Sequence, residues 1–268
     1  ASMSDPVETS RAQFDRQAAC YGRAHILRDV SDVAAALDGF DTARLSPALD
    51  VATGAGHTAA YLAERRVAVT AADISEGMLE EVHKLAAERG LDISTRQHAA
   101  ESLPYADASF RLVTCRVAAH HFASVEDFLR EAFRVLRPGG LLLVIDGASP
   151  EGEPVAEKWL QGVEKLRDPS HGRFLRATEW RELAGQTGFK VLHGDCLPFK
   201  QPDLEWYFHT AGTPGANRSE VRQMVAQAPA EVRRVLRLAE EEGKVVWWWP
   251  RLTFLAQRPE VAKTASQP

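Results

Sequence analysis

The residues of this chain best suited to chemistry are two strand-end acids, a glycine loop between them and a pair of adjacent histidines. In "LDVATGAGHTAAYLAERR", residues 49–66, Gly54 and Gly56 separate a short apolar run from a helix-like run. Glycines at such a junction let the backbone come close to a ligand, and the free N–H groups of the helix start favour negative charge. Asp50 lies four residues ahead of Gly54, and Asp73 follows Gly56 by seventeen. His120 and His121, in "RVAAHHF", carry imidazoles whose ordinary pKa near 6.5 suits proton abstraction from a phenol or an activated carbon acid. A second cluster, "RDPSHGR", offers Arg167, Asp168, His171 and Arg173. Arginines there can grip an acidic or phenolic molecule, and the same residues equally make an ion-paired loop. Two ligands, Asp168 and His171, are too few for a metal site, so no metal is expected.

The glycine loop admits two ligands. Gly54-Ala55-Gly56-His57-Thr58-Ala59 fits the G-x-G-x-x-G/A pattern of dinucleotide sites, and with Asp50 it also fits a loop for S-adenosylmethionine. An acid at the mouth of the first strand repels a pyrophosphate and suits a cationic sulfonium. Asp73 separates the two less well, because a carboxylate ending the second strand serves the ribose of either ligand.

The elements that must position these residues alternate between strand and helix. Strands are expected at 48–52, 67–72, 93–97, 110–115 and 141–146, with helices at 57–65, after Ser75 up to Gly90, and after Ser124. The turn "RPGG" at 137–140 leads into the fifth strand. Residues 14–37 read as helical. Beyond 151 the pattern loosens, with helices at 154–166, 177–186, 219–226 and 230–241 and strands at 189–193 and 251–258. Such alternation predicts an α/β fold with a doubly wound, mostly parallel sheet, its ligand edge at the ends of strands one to four. In "VVWWWP", 245–250, successive tryptophans must alternate faces, one into the core and a neighbour toward the pocket.

Bulk properties narrow the function. A net charge of −5 argues against a nucleic-acid surface, and three scattered cysteines, Cys20, Cys115 and Cys196, fit a reducing compartment better than a disulfide framework. No apolar run reaches the roughly 20 residues of a membrane span, and the polar start lacks the apolar segment of a secretory signal. The expectation is a cytoplasmic protein, monomer or homodimer.

"LDVATGAGHTA", "AADISEGML", "AAESLPYADASFRLVTCRVAAHHF" and "EAFRVLRPGGLLLVID", in this order, resemble the class I S-adenosylmethionine-dependent methyltransferases. Within them the chain is similar to the methyltransferase type 11 branch, which holds the ubiquinone/menaquinone-biosynthesis enzymes. The resemblance covers about residues 46–150. It implies a seven-stranded Rossmann-like sheet in one domain, 1–268, with an N-terminal helical cap (1–40), a cofactor-binding core (41–150) and a C-terminal part (151–268) carrying a lid insertion at about 195–248.

The resemblance also implies roles. Asp50, Ala52, Thr53, Gly54 and Gly56 match the loop around the methionine part of S-adenosylmethionine, and Ala52 replaces a glycine common in relatives. Asp73 matches the ribose acid, Ile74 and Met78 the apolar cover of the adenine, and Ala100 and Glu101 its border. Cys115 and Arg116 match the end of strand four, where carbonyls receive the ligand's ammonium. Tyr21, with Arg23 and His25, matches a segment that closes over the cofactor. His98-Ala99 stands where many relatives have Gly-Asp, so the adenine amino group needs another partner. His120 and His121 then face the transferable methyl group. The implied activity is methyl transfer to a small molecule, quinone-like, phenolic or other, leaving S-adenosylhomocysteine. Two alternatives stay open: an NAD-dependent oxidoreductase, and a non-catalytic binder of S-adenosylmethionine or S-adenosylhomocysteine.

Overall fold

The computed structural model describes residues 5–23 and 25–260, with the side chains of 20–25 outside the description. Its centre is a seven-stranded sheet in the order β3-β2-β1-β4-β5-β9-β6. The first five strands are β1 (Ala48–Val51), β2 (Val69–Asp73), β3 (Ser94–Gln97), β4 (Phe110–Arg116) and β5 (Leu136–Gly147). They are mutually parallel. β6 (Lys190–Lys200) lies at the far edge, and β9 (Trp248–Gln257) runs antiparallel between β5 and β6. The fold is therefore the doubly wound α/β architecture expected from the alternating pattern, with the seven-stranded, Rossmann-like sheet that the resemblance implies.

Period-two burial explains the layers. On β5, Leu141, Leu143 and Ile145 join one apolar cluster, while Leu142 and Val144 join another on the opposite face. α3 (Ser31–Ala36), α4 (His57–Glu64) and α5 (Glu76–Arg89) cover the first face through Val33, Leu62 and Val82. α6 (Val125–Val135) and α8 (Ala177–Thr187) cover the second through Phe128, Leu129 and Trp180. The expected caps are present: the Ser75 hydroxyl accepts the Met78 N–H, Ser124 accepts that of Asp127, and Gly90 ends α5 in the left-handed region.

The N-terminal stretch breaks into α1 (Pro6–Arg23), α2 (His25–Arg28) and α3. A third apolar cluster joins α7 (Pro154–Arg167), α9 (Leu204–Ala211), α10 (Gly215–Ala226) and α11 (Ala230–Val235) around Trp159, Tyr207, Phe208 and Trp247.

Several expectations are corrected here. β6 continues to Lys200 and pairs with Trp248, so the segment between the last two sheet strands is 201–247. Helix α9 went unpredicted, although Asp203 caps it by accepting the Trp206 N–H and Gly212 closes it at φ 63. The helix expected over 230–241 stops at Val235; β7 (Ala239–Glu241) and β8 (Lys244–Val246) then form a hairpin. Its turn residues Glu242 and Gly243 both have positive φ, as a tight two-residue hairpin requires. Trp247 and Trp249 both pack on Tyr207, with Trp248 alone turned toward Lys200 and Arg237.

The "RPGG" segment is a bulge inside β5 rather than a turn before it. Phe110 pairs with Leu136 but Leu112 with Leu141, so the extra residues arch outward at Gly139, φ +82. The Gly139 N–H donates to the Arg258 carbonyl, and the Arg258 N–H returns to Gly140. A Cβ at Gly140 would sit 2.8 Å from the Arg137 carbonyl oxygen and 3.1 Å from that of Arg111. Backbone cannot step aside as a side-chain tip can, so Gly140→Ala is expected to cost about 1–3 kcal/mol. Urea or thermal unfolding checks this; an unchanged midpoint would mean that the bulge relaxes freely.

Candidate active site

Strand order reverses between β1 and β4, so the connections leaving these neighbours diverge and open a crevice at their carboxyl ends. The cavity in this crevice is bordered by the glycine loop, the tip of β2, the segment after β4, α1 and part of the 201–247 segment.

The loop end is held by polar contacts. Asp50, 1% exposed, accepts the Thr53 hydroxyl and the Thr114 hydroxyl, each at 2.6 Å. Asp73 accepts the Gly54 N–H and the Ser75 N–H, each at 2.9 Å. Ala52, Gly54 and Gly56 take positive φ of 51, 57 and 86°, which is where a glycine backbone is at ease and an alanine is not. A Cβ on Gly56 would meet Val82 Cγ2 at 2.9 Å, so this glycine also seats α4 against α5. Ala52, Thr53, Gly54, Asp73, Ile74, Met78, Ala100 and Glu101 border the cavity.

Asp50 does not border it: both its oxygens are spent on threonines behind the loop. The expectation that Asp50 faces a cationic ligand is corrected to a buttress that fixes Thr53. Gly56 likewise lies behind the wall. Cys115 is 1% exposed within the apolar core, and burial pushes its thiol well above the usual range. Arg116 does border the cavity, but its guanidinium turns toward the N-terminal segment, donating to Asp32 and to the Leu27 and Asp29 carbonyls. Glu101 accepts the Ala123 N–H at 2.7 Å, holding the start of α6. His98, beside Ala99, donates from Nδ1 to the Ala99 carbonyl and takes the Tyr105 hydroxyl proton at Nε2, the tautomer this network requires. The Tyr21 side chain lies outside the described residues.

At the other end, His120 and His121 both border the cavity. Sequence reasoning missed the partner that matters. Asp146, at the tip of β5, accepts the His120 Nδ1–H at 2.7 Å and the His120 backbone N–H at 2.8 Å. That pairing fixes one tautomer and leaves Nε2 as a basic lone pair. Its signal in the sequence was an acid closing "LLLVID", one strand over from the histidines. His121 donates Nδ1–H to the Ser170 carbonyl, and burial together with neighbouring His120 pushes its pKa down to about 4, so it stays neutral near pH 7.

"RDPSHGR" is split by the structure. Arg167 borders the cavity, ion-paired with Glu164 at 3.1 Å. Asp168 and His171 are buried behind it and do not reach the cavity, while Arg173 points outward to Glu179. These three are corrected from substrate contacts to scaffold. The loop's job is visible in its backbone: Gly172 and Arg173 N–H both donate to the His120 carbonyl. Among the described residues no three His, Cys, Asp or Glu side chains are grouped to hold a metal ion, and no helix is long and apolar enough to cross a membrane.

The remaining wall is mostly aromatic, and apart from Trp249 of "VVWWWP" it came from places that carried no chemical signal. Phe14 of α1 meets His121 edge-on at 4.9 Å, and Phe174 meets His120 at 5.0 Å. Phe199, Trp206 and Trp249 complete it, with Arg251 beside them.

Burial pushes both Asp50 and Asp73 up to about 6. Between pH about 4 and about 6 each carboxyl keeps a proton in the folded chain that the unfolded chain has released. Folding stability therefore falls as pH rises through this window. Asp73→Asn removes that group's share, and the slope of unfolding free energy against pH should become less negative by up to about 1.4 kcal/mol per unit. An unaltered slope in urea titrations at pH 4, 5 and 6 counts against the assignment.

Comparison with known proteins adds an independent line. The family model described as "Methyltransferase domain" matches residues 49–144. YcgJ of Bacillus subtilis, described as an uncharacterized methyltransferase, is 30% identical over 84% of this chain and 88% of its own length. Its crystal structure superposes with a TM-score of 0.74 at 27% identity, covering 85% of this chain and 100% of that one. A putative methyltransferase of Bacillus halodurans gives 0.77 at 30% identity, over 85% and 99% of the two chains. The ubiquinone/menaquinone biosynthesis C-methyltransferase UbiE of Desulfotalea psychrophila is 34% identical over 52% of this chain and 57% of its own.

Proposed function

The chain belongs to the class I S-adenosylmethionine-dependent methyltransferases, and from that premise we propose that it moves a methyl group to a small, largely apolar acceptor, with His120 as the general base. The observation that carries this reading is the position of the His120–Asp146 pair on the same cavity as the glycine loop and Asp73.

The residues at the loop end fit the methyl donor. Asp73 is a buried acceptor at the cavity edge, suited to ribose hydroxyls. Ile74 and Met78 offer apolar cover for an adenine, Ala100 and Glu101 border it, and Thr53 and Gly54 supply the close backbone approach. Bound there, S-adenosylmethionine supplies an already activated methyl group, so the protein's part is alignment, dryness and proton removal. Alignment alone accounts for roughly 7–11 kcal/mol of such barriers. α1 and the 201–247 segment, in this reading a cap and a lid, exclude water from above through Phe14 and Trp206.

His120 then takes the acceptor's proton at Nε2, and Asp146 stabilises the imidazolium that forms. Neutral His121 and Arg167 border the same space as polar contacts for the acceptor. The aromatic wall suits a ring, and a quinone-like acceptor of the UbiE kind is one member of that class. Asp50, enclosed by its threonines, no longer distinguishes a sulfonium from a pyrophosphate; family membership carries that choice over a nicotinamide enzyme.

Calorimetry with S-adenosylmethionine, S-adenosylhomocysteine and NAD is expected to show binding of the two sulfur ligands alone, weakening as pH falls below about 6 and Asp73 gains a proton. NAD binding in their place would end the proposal. Against an acceptor found by a labelled-methyl screen of phenols, thiols and amines, His120→Ala should lower kcat by about 10²–10⁴ with unchanged S-adenosylhomocysteine affinity. Full turnover by that variant would remove His120 from the mechanism, and failure of every acceptor despite tight binding would favour a non-catalytic binder.

A further inference from the structure

Three arginines border the cavity, and they differ in how far the protein satisfies them. Every guanidinium nitrogen of Arg116 has a partner: Nε donates to Asp32, Nη1 to the Leu27 carbonyl and Nη2 to the Asp29 carbonyl. Arg167 is tied through Nε and Nη2 to Glu164, which is fully buried. Arg251 is the exception. Its one hydrogen-bond acceptor among the described residues is Asp32, reached by Nη2 at 2.8 Å. Its Nε is buried and finds no acceptor among the described residues.

Charge follows the same pattern. Asp32 is shared between Arg116 and Arg251, one carboxylate against two guanidiniums. The other acid whose charge acts on Arg251, Asp146, is committed to His120. Burial pulls the Arg251 pKa down from the usual guanidinium range, as expected of a cation short of counter-charge. A buried donor without an acceptor costs about 1–3 kcal/mol, more when charged, so its retention points to a role beyond packing.

The position is as informative as the deficit. Arg251 pairs across the sheet with Gly147, the residue after Asp146. Its guanidinium lies over the Phe199 ring, 4.3 Å from the centroid, and Phe199, Trp206 and Trp249 border the same end of the cavity. A guanidinium beside aromatic faces, paired across the sheet with the residue next to the acid that orients His120, describes a recognition site for a ring that carries an anion.

We propose that Arg251 anchors a carboxylate of the methyl acceptor, making the acceptor an aromatic carboxylic acid whose protonated nucleophile, on another atom, faces His120. The inference rests on the methyltransferase reading, since it places the acceptor at the end of the cavity away from the glycine loop. The carboxylate is an anchor rather than the methylated atom: an ionised carboxylate has no proton for His120 to remove, and a phenolic or similar group does. A planar carboxylate that meets the guanidinium from the cavity, at donors Asp32 does not take, gains orientation as well as charge pairing.

The test is calorimetric titration of 2-naphthoate and its neutral isostere 2-naphthamide, each with and without saturating S-adenosylhomocysteine. The wild-type chain is expected to prefer the carboxylate by about 10–100-fold, the range for a hydrogen-bonded charge pair. Arg251→Met should erase the preference by weakening naphthoate alone. Arg251→Lys should restore part of it, and S-adenosylhomocysteine affinity in both variants reports that the fold survives. Equal binding of the two probes by the wild type, or a preference that survives in Arg251→Met, overturns the proposal. Naphthoate preference without any S-adenosylhomocysteine binding would uphold the anion site and sink the methyltransferase reading instead, so the two failures are separable.

Discussion

A single run of hydrogen bonds along the carboxyl tips of the strands holds the loop end of the cavity in place. Thr114 on β4 donates to Asp50 on β1, and Asp50 takes the hydroxyl of Thr53 in the loop. The next residue, Gly54, donates to Asp73 on β2, which also accepts the N–H of Ser75. Ser75 caps α5 and donates to Asp15 of α1, which in turn accepts the Gly77 N–H. Asp50, Asp73, Ser75 and Thr114 are buried, and each of them left unpaired would cost on the order of 1–3 kcal/mol. Such a chain is worth more intact than its pairs suggest, because neighbouring bonds polarise one another in a low-dielectric setting. It also links the covering helix to the loop, since α1 joins through the carboxylate that holds the start of α5.

That chain explains which parts of the site were legible. Its members lie within short sequence distances, on a strand–loop–helix unit whose glycines, caps and strand-end acids each leave a local mark. Ser75, Gly90 and Ser124 announced their helices in the same way. Burial direction is not local. Asp50 and Asp73 look alike in sequence, both acids closing apolar strands, and only the threonine across on β4 turns one of them inward. Cys115 and Gly56 were placed at the wall for the same reason: backbone position was legible, and the facing of each group was not.

The far end of the cavity escaped sequence reasoning for a different cause. Phe14, Asp146, Phe174, Phe199, Trp206 and Arg251 come from six separate elements or loops and converge only when the chain is folded. A phenylalanine bordering a cavity is, in sequence, indistinguishable from one in a core. α9 was missed because its eight residues are too few for a periodic signal, although the caps at Asp203 and Gly212 were present to be seen. The hairpin of β7 and β8 hid inside "LAEEEGKVV", where a run of glutamates mimics the end of a helix. In the "RDPSHGR" loop, residue types suggested ligand chemistry, yet the loop works through backbone N–H groups that hold His120 and have no side-chain signature.

The two ends differ in mechanical origin as well. The loop end grows out of the sheet and shares its two apolar clusters. Much of the opposite wall, including Phe174, Trp206 and Trp249, packs with a third cluster built on α7, α9, α10 and α11. These side chains answer to a core separate from the two that flank the sheet beneath the Asp50–Asp73 run. In the proposed reading this separates the two recognition tasks: the donor requires fixed geometry, while the acceptor pocket is free to change shape. His120 stands at the junction, with its imidazole tied to the sheet through Asp146 and its carbonyl held by the loop that precedes α8. In the proposed reading, a base held this way keeps its orientation relative to the sheet whatever acceptor the opposite wall is shaped for.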